Sequence, residues 1–150
     1  SFGSPYSGVV SPRLMKSCLR DAKMFGNTVV FADTVGAASE QEVALWAEMA
    51  LEEGLTPALH LHHKGDESRA VALVRSGLLN GIKEFDSSIN GLGGCPFVDN
   101  SGANLSTETL VLHLNTWGFE TGVNLDSLKK ATKIARQIKL NDKDRGIVAQ

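Results

Sequence analysis

Two histidines near the middle of the chain have the side-chain type and the spacing of metal ligands. His60 and His62 end an apolar segment that begins at Pro57 and is typical of a strand. Residues i and i+2 of a strand point to the same face, so both imidazoles can bind one cation. The pattern equally fits two buried, hydrogen-bonded histidines or a polar strand end. His63 points to the opposite face and is not predicted to be a ligand.

A cysteine lies in a glycine-rich segment, where it is poorly placed for core packing. Cys95 belongs to the sequence GLGGCPF over residues 91–97. A mobile loop can close such a thiol over a substrate as an acid, a base or a nucleophile. The alternative is a small apolar side chain folded under the loop. Cys18 instead recurs with Leu14 and Leu19 at helical spacing, which predicts a buried core position, and we expect both cysteines to be free thiols.

Three further polar residues follow predicted strands or the glycine-rich segment. The amide oxygen of Asn104 can bind a metal, and Glu108 suits the positive end of a helix. Both residues also fit helix capping. Asp33 follows a short apolar strand and can bind a hydroxyl group or act as a base. An Asx turn with Thr34 is the alternative for Asp33.

The changing hydrophobic period along the chain predicts the element order α-β-α-β-α-β-loop-α-α. Helix starts are indicated by Ser11-Pro12 and by a capping box from Ser39 to Glu42. Strands that alternate with helices predict a parallel α/β sheet, with the polar residues above at the carboxyl ends of its strands. The predicted strands cover residues 28–31, 57–62 and 82–88, and residues 1–5 are expected to be the end of a fourth.

The composition is that of one globular domain spanning residues 1–150, with residues 141–150 as a flexible tail. The chain has 150 residues, of which 42% are hydrophobic and 21% charged, and its formal net charge is -2. The absence of basic runs argues against nucleic acid as a partner. The longest apolar stretches are too short for a membrane helix, and no signal sequence is visible. We therefore expect a cytoplasmic protein.

Five segments together resemble the 3-hydroxy-3-methylglutaryl-CoA lyase family, in order and in spacing. The GLGGCP loop is the most specific, because it separates these lyases from isopropylmalate and homocitrate synthases, which share the Asp-Thr-Val-Gly and His-x-His elements. The resemblance covers nearly all of residues 1–140. The segments are FGSPYSGVVSP (2–12), ADTVGAAS (32–39), HLH (60–62), FDSSINGLGGCPF (85–97) and NLSTE (104–108).

This resemblance implies the C-terminal half of a (β/α)8 TIM barrel, with about three to four parallel strands and their helices. It implies cleavage of 3-hydroxy-3-methylglutaryl-CoA to acetyl-CoA and acetoacetate with Mg or Mn, and a role in leucine degradation. His60, His62 and Asn104 match the metal ligands of the family. Cys95 matches its acid/base cysteine. Asp33 and Glu108 match acidic residues near the substrate.

The sequence also departs from the family. An Arg-Asp-Gly-Leu-Gln segment on the first strand, which supplies a metal-binding Asp and an Arg, has no counterpart here, and His63-Lys64 stands where Asp-Thr is usual. A catalytically inactive half-barrel and a related keto-acid aldolase therefore stay as alternatives, although GLGGCP argues against the aldolase. A half-barrel with exposed sheet edges and an open interior implies a homo-oligomer. In a eukaryote, the family resemblance would allow a mitochondrial location.

Overall fold

The computed structural model describes residues 1–4, 8–94 and 102–144. Three longer strands alternate with helices, and short strands precede and follow them. A 3-10 turn (Ile89–Gly91) follows β5. The strands are β1 (Gly3–Ser4), β2 (Gly8–Val9), β3 (Thr28–Asp33), β4 (Thr56–His63), β5 (Glu84–Asp86) and β6 (Ala103–Asn104). The helices are α1 (Pro12–Ala22), α2 (Glu40–Glu52), α3 (Ser68–Leu79), α4 (Thr107–Thr116) and α5 (Leu125–Asp144).

The predicted parallel sheet is confirmed, in the order β3-β4-β5. β5 is shorter than the predicted 82–88. The sequence did not predict β6, which pairs antiparallel with the end of β4. The fourth strand expected at residues 1–5 is replaced by a small antiparallel pair of β1 and β2. The chain still runs beside β3 there, since the Phe2 N–H donates to the Ala32 carbonyl at 3.1 Å.

The helices begin where the sequence indicates. Ser11 caps α1, and Ser39 forms a full capping box with Glu42 at the start of α2. These side chains satisfy backbone N–H groups that the first helical turn leaves unpaired. The buried position predicted for Cys18 is wrong, because α1 buries Met15 and Leu19, whereas Cys18 is exposed.

An aromatic cluster fixes the N-terminal residues to the helix side of the sheet. Phe2, Phe31 and Trp46 are all nearly inaccessible to solvent. The rings of Phe2 and Trp46 are stacked with centroids 4.4 Å apart, and Phe31 lies 5.6 Å from Trp46. Such pairs add favourable ring contacts to the burial of large apolar surfaces. The cluster therefore joins the start of the chain, β3 and α2 into one core.

The two faces of the sheet differ sharply. Phe31, Leu59 and Leu61 lie on the face that packs into the core. The opposite face, called here the inner face, carries Val30, Ala58, His60, Glu84 and Asp86 through the parallel register of the strands. Val30 is 48% exposed there, and the two acidic residues are exposed as well. The inner face of this chain is thus open and, on β5, charged.

No helix within the described ranges combines the length and the apolar character that crossing a membrane would require.

Replacing Phe2 by Ala should lower the free energy of unfolding by about 3–5 kcal/mol, because it removes a fully buried ring from the aromatic cluster. Urea unfolding monitored by circular dichroism measures this. Phe25→Ala is the matched control, since Phe25 is 92% exposed and its loss should cost less than about 0.5 kcal/mol. Equal losses in both variants would show that Phe2 does not anchor the core.

Candidate active site

The two predicted ligand histidines converge at the carboxyl end of β4. Their Nε2 atoms are 3.1 Å apart, and their rings meet edge to face. His62 is buried, whereas the side chain of His60 is 34% exposed. His63 lies on the opposite face, as predicted, with its Nε2 3.6 Å from a carboxylate oxygen of Glu67. The strand alternation therefore places two imidazole nitrogens at one point of the inner face.

Asn104 is brought to the same point by β6. It is the direct cross-strand partner of His62, so the two side chains lie on one face. The Nδ2 of Asn104 donates to the Leu92 carbonyl at 2.8 Å, which fixes the orientation of the amide. The Oδ1 is buried and has no hydrogen-bond partner. A buried acceptor without a partner is costly, and a ligand is one explanation for keeping it.

At position 93 of the glycine-rich segment, steric contacts require a glycine. Its φ is +95°, and a Cβ at this position would lie 2.8 Å from Nδ2 of Asn104. A residue with a side chain would therefore both strain the backbone and displace the amide. The absence of a side chain at Gly93 allows the loop to close directly onto Asn104.

These side chains fit a divalent cation in part. Two nitrogen ligands about 2.1 Å from one ion at right angles are about 3 Å apart, close to the separation of the two Nε2 atoms. The free Asn104 oxygen would add a hard ligand of the kind that Mg and Mn prefer. Within residues 1–4, 8–94 and 102–144, no group of three or more His, Cys, Asp or Glu side chains is arranged to hold a metal. The described donor set is two imidazoles and one amide, without a carboxylate.

Asp33 lies at the end of β3 with its side chain buried. Its two carboxylate oxygens accept hydrogen bonds from the backbone N–H groups of Ala37 at 2.7 Å and Ala38 at 3.1 Å. The Gly36 N–H donates to the Asp33 carbonyl. These contacts fix the loop between β3 and α2. The predicted contact of Asp33 with a substrate stays a prediction.

Glu108, in the first turn of α4, accepts hydrogen bonds from two other elements. The Asn90 N–H lies 3.1 and 3.0 Å from its two carboxylate oxygens. The Thr132 hydroxyl of α5 donates to it as well. Glu108 thereby connects the 3-10 turn before the glycine-rich segment to α5, and its predicted role near a substrate remains a prediction. Cys95 lies outside the described residues.

Glu67 connects the end of β4 to the start of α4, and no sequence pattern indicated this contact. Its carboxylate accepts hydrogen bonds from the N–H and hydroxyl of Ser106 and from the hydroxyl of Thr109. Burial raises the pKa of Glu67, but these hydrogen bonds and the nearby His63 outweigh burial, so the pKa lies below its ordinary value of 4.5. A Glu or Gln three residues after a cap would have been a recognisable signal, but Glu67 is 39 residues from Ser106.

A polar cleft of about 360 Å³ lies beside Glu67. His63, Glu108 and Arg136 are among the other residues that line it. It is on the His63 side of β4, whereas His60 and His62 lie on the other. We therefore place the candidate site on the inner face and not in this cleft. Lys64 is exposed in the bend that follows β4.

The sequence of this chain is similar to those of known acyl-CoA lyases. The family model described as HMGL-like matches residues 1–135. The chain is 32% identical over 149 residues to hydroxymethylglutaryl-CoA lyase of Pseudomonas mevalonii, covering 98% of this chain and 50% of that protein. It is 33% identical over 135 residues to (R)-citramalyl-CoA lyase of Chloroflexus aurantiacus, covering 88% of this chain and 42% of the relative.

A solved structure gives the same result. An HMG-CoA lyase from Acinetobacter baumannii, in complex with coenzyme A and 3-methylmalate, superposes with a TM-score of 0.77 at 29% identity. The match covers 87% of this chain and 43% of that one. The chain thus spans about half the length of the relatives it matches. The predicted partial α/β barrel is confirmed by this similarity.

Gly93→Ala should lower the free energy of unfolding by more than the strain of an alanine at positive φ accounts for. The backbone strain is worth about 1–2 kcal/mol, and the contact with Asn104 adds to it. Gly118→Ala is the matched control, because Gly118 has a φ of +86° but nothing within 4 Å of an added Cβ. Urea unfolding gives both costs, and the side-chain amide resonance of Asn104 should move in Gly93→Ala alone. Equal costs and an unmoved resonance would contradict the close contact.

Glu67 should make stability depend on pH in the acidic range. Because its pKa is lowered in the folded state, its contribution is complete above about pH 4.5 and is lost as the pH falls through the folded value. Glu67→Gln should destabilise the protein by about 1–3 kcal/mol at pH 7, and the difference from the unmodified chain should shrink towards pH 3. Unfolding at several pH values tests this. Glu52→Gln, at an exposed position, should change little, and a pH-independent loss in Glu67→Gln would refute the charge effect.

Proposed function

Because the chain belongs to the HMGL-like family, we propose that it carries the metal-binding half of a lyase that cleaves a 3-hydroxyacyl-CoA. The preferred substrate is 3-hydroxy-3-methylglutaryl-CoA, and the products are acetyl-CoA and acetoacetate. His60, His62 and Asn104 hold the divalent cation, Mg or Mn. Cys95 acts as the acid.

One observation carries the proposal. The Nε2 atoms of His60 and His62 meet at 3.1 Å on the face where Asn104, the partner of His62, keeps a buried oxygen without a hydrogen bond. The Leu92 carbonyl explains the orientation of the amide, but it leaves the buried Oδ1 of Asn104 without a hydrogen-bond partner. A cation with nitrogen and oxygen ligands would give that oxygen a partner.

The reaction breaks one carbon–carbon bond. A general base takes the proton of the tertiary hydroxyl, the hydroxyl oxygen becomes the ketone of acetoacetate, and the bond between C2 and C3 breaks. The electron pair of that bond passes to the acetyl-CoA enolate, which takes a proton at C2. When bound, a divalent cation polarises and orients the substrate oxygens. The Cys95 thiol, carried by the glycine-rich loop, is proposed to supply the proton to C2.

Asp33 and Glu108 enter this proposal as residues that border the substrate. Both carboxylates already accept backbone N–H groups, so their geometry favours holding the surrounding loops over exchanging protons. Asp33 fixes the turn after β3. Glu108 fixes the turn that leads into the loop of Cys95. Each would then set the distance between its loop and the substrate.

The acyl group of the proposed substrate follows from the chemistry of the cleavage and from the names of the relatives. A thioester with a hydroxyl on its third carbon is what the cleavage requires, and the similar lyase of Chloroflexus aurantiacus is named for citramalyl-CoA. The complex from Acinetobacter baumannii contains coenzyme A. These names support an acyl-CoA substrate, with the hydroxymethylglutaryl group preferred because GLGGCP is specific to that branch.

A second candidate function is a half-barrel that binds metal or acyl-CoA without turnover. The observation in its favour is the donor set, which lacks a carboxylate in the described part of the chain. For both candidate functions, we propose that a second copy of the chain covers the open inner face. Two such copies would duplicate the pair formed by His60 and His62.

Acetoacetate release from 3-hydroxy-3-methylglutaryl-CoA with added Mg²⁺ or Mn²⁺ tests the proposal. The chain should show metal-dependent turnover, and Cys95→Ala should lower the rate by about 10²–10⁴-fold because a proton donor is removed. Cys18→Ala is the matched control, since it removes an exposed thiol on α1 and should keep the rate within about twofold. Citramalyl-CoA in parallel assays tests the preference for the acyl group.

The outcomes separate the two candidates. Turnover lost in Cys95→Ala and kept in Cys18→Ala establishes the lyase. A folded chain that binds Mn²⁺ but releases no acetyl-CoA from either thioester contradicts the lyase and supports the half-barrel. Equal loss in both cysteine variants would refute the role of Cys95.

A further inference from the structure

An acidic residue that the sequence did not single out lies beside the more exposed histidine. Asp86 on β5 is the register partner of His60 on β4, so both side chains point to the inner face. The Oδ2 of Asp86 is 3.6 Å from the Nδ1 of His60. The side chain of Asp86 is 59% exposed, so it can approach His60 more closely without displacing any packed group.

The two ring nitrogens of His60 face different neighbours. Nε2 lies 3.1 Å from the Nε2 of His62, whereas Nδ1 faces Asp86. Which nitrogen of a neutral imidazole carries the proton is set by the hydrogen bond that the other can make. An ionised carboxylate can only accept, so Asp86 favours a proton on the Nδ1 of His60. The Nε2 of His60 then carries no proton, and its lone pair lies on the side where the ligand candidates meet.

We propose that Asp86 is a positioning residue that keeps the proton of His60 on Nδ1 and turns its Nε2 lone pair to the cation. This positioning role rests on the proposed function, since it presupposes a metal at His60. In metal sites, a carboxylate at the other ring nitrogen commonly orients a ligand histidine. The present 3.6 Å is longer than a hydrogen bond, and polar contacts of this kind often shorten when a site is filled. In the metal-free chain, His62 then donates and His60 accepts in the contact between their Nε2 atoms.

Glu84 provides a matched control on the same strand. It is exposed, it points to the same inner face, and its register partner is Ala58 instead of a histidine. Glu84→Ala removes the same charge from the same surface as Asp86→Ala but leaves the neighbour of His60 in place. Comparing the two variants separates a specific contact from a general change of the electrostatic field.

The decisive experiment is long-range ¹H–¹⁵N NMR of the histidine rings, without metal and at a pH where the imidazoles are neutral. In the unmodified chain and in Glu84→Ala, His60 should carry its proton on Nδ1. In Asp86→Ala, the ratio of the Nδ1–H to the Nε2–H form should fall by about threefold to tenfold. A proton on Nε2 of His60 in the unmodified chain, or an unchanged ratio in Asp86→Ala, would overturn the proposal.

Mn²⁺ binding, followed by water-proton relaxation, tests the purpose of the contact. Asp86→Ala should weaken binding by about 10–100-fold, and Glu84→Ala by less than about threefold. Equal weakening in both variants would overturn positioning in favour of charge alone. Failure of the unmodified chain to bind Mn²⁺ would refute the proposed metal site instead, and the NMR result would still decide whether Asp86 sets the proton position.

Discussion

The candidate site depends on a two-residue strand that folds back onto the end of the strand bearing the histidines. β6 pairs with β4 so that Asn104 faces His62, and the Leu105 N–H donates to the Leu61 carbonyl at 2.9 Å. The approach is so close that a Cβ at Gly102 would lie 2.1 Å from the His63 carbonyl oxygen. Without this pairing the two imidazoles would still converge, but the amide would be absent.

Three carboxylates hold the segments around this pairing. Asp33 binds the backbone of the turn after β3, Glu108 binds the 3-10 turn and α5, and Glu67 binds the first residues of α4. Each accepts backbone N–H groups that would otherwise lack partners in a loop. Hydrogen bonds to a carboxylate are charge-assisted and stronger than neutral ones. Each loop is therefore held more firmly than by backbone contacts alone. The acidic residues near the site are thus engaged mainly with the protein itself.

Local patterns were sufficient to predict much of the fold and part of the site. The alternation of strand residues placed His60 and His62 on one face, and the capping box at Ser39 located the start of α2, because both depend on neighbours a few residues apart. Cys18 was mispredicted because helical spacing does not state which side of α1 packs on the core. β6, Glu67 and Asp86 escaped prediction because their partners are distant in sequence. The role of Asn104 was suggested by resemblance, whereas its orientation follows from Leu92.

The pairing of β6 with β4 also divides the site into a local and a distant part. His60 and His62 lie on one strand, but Asn104 follows about 40 residues later, after α3 and β5, so bringing it beside them costs conformational entropy. A ligand bound by both parts of the site would act as a reversible cross-link between them. Its binding energy would then oppose local opening of the whole segment between the two strands, so that occupancy of the site and the rigidity of the glycine-rich loop would rise together.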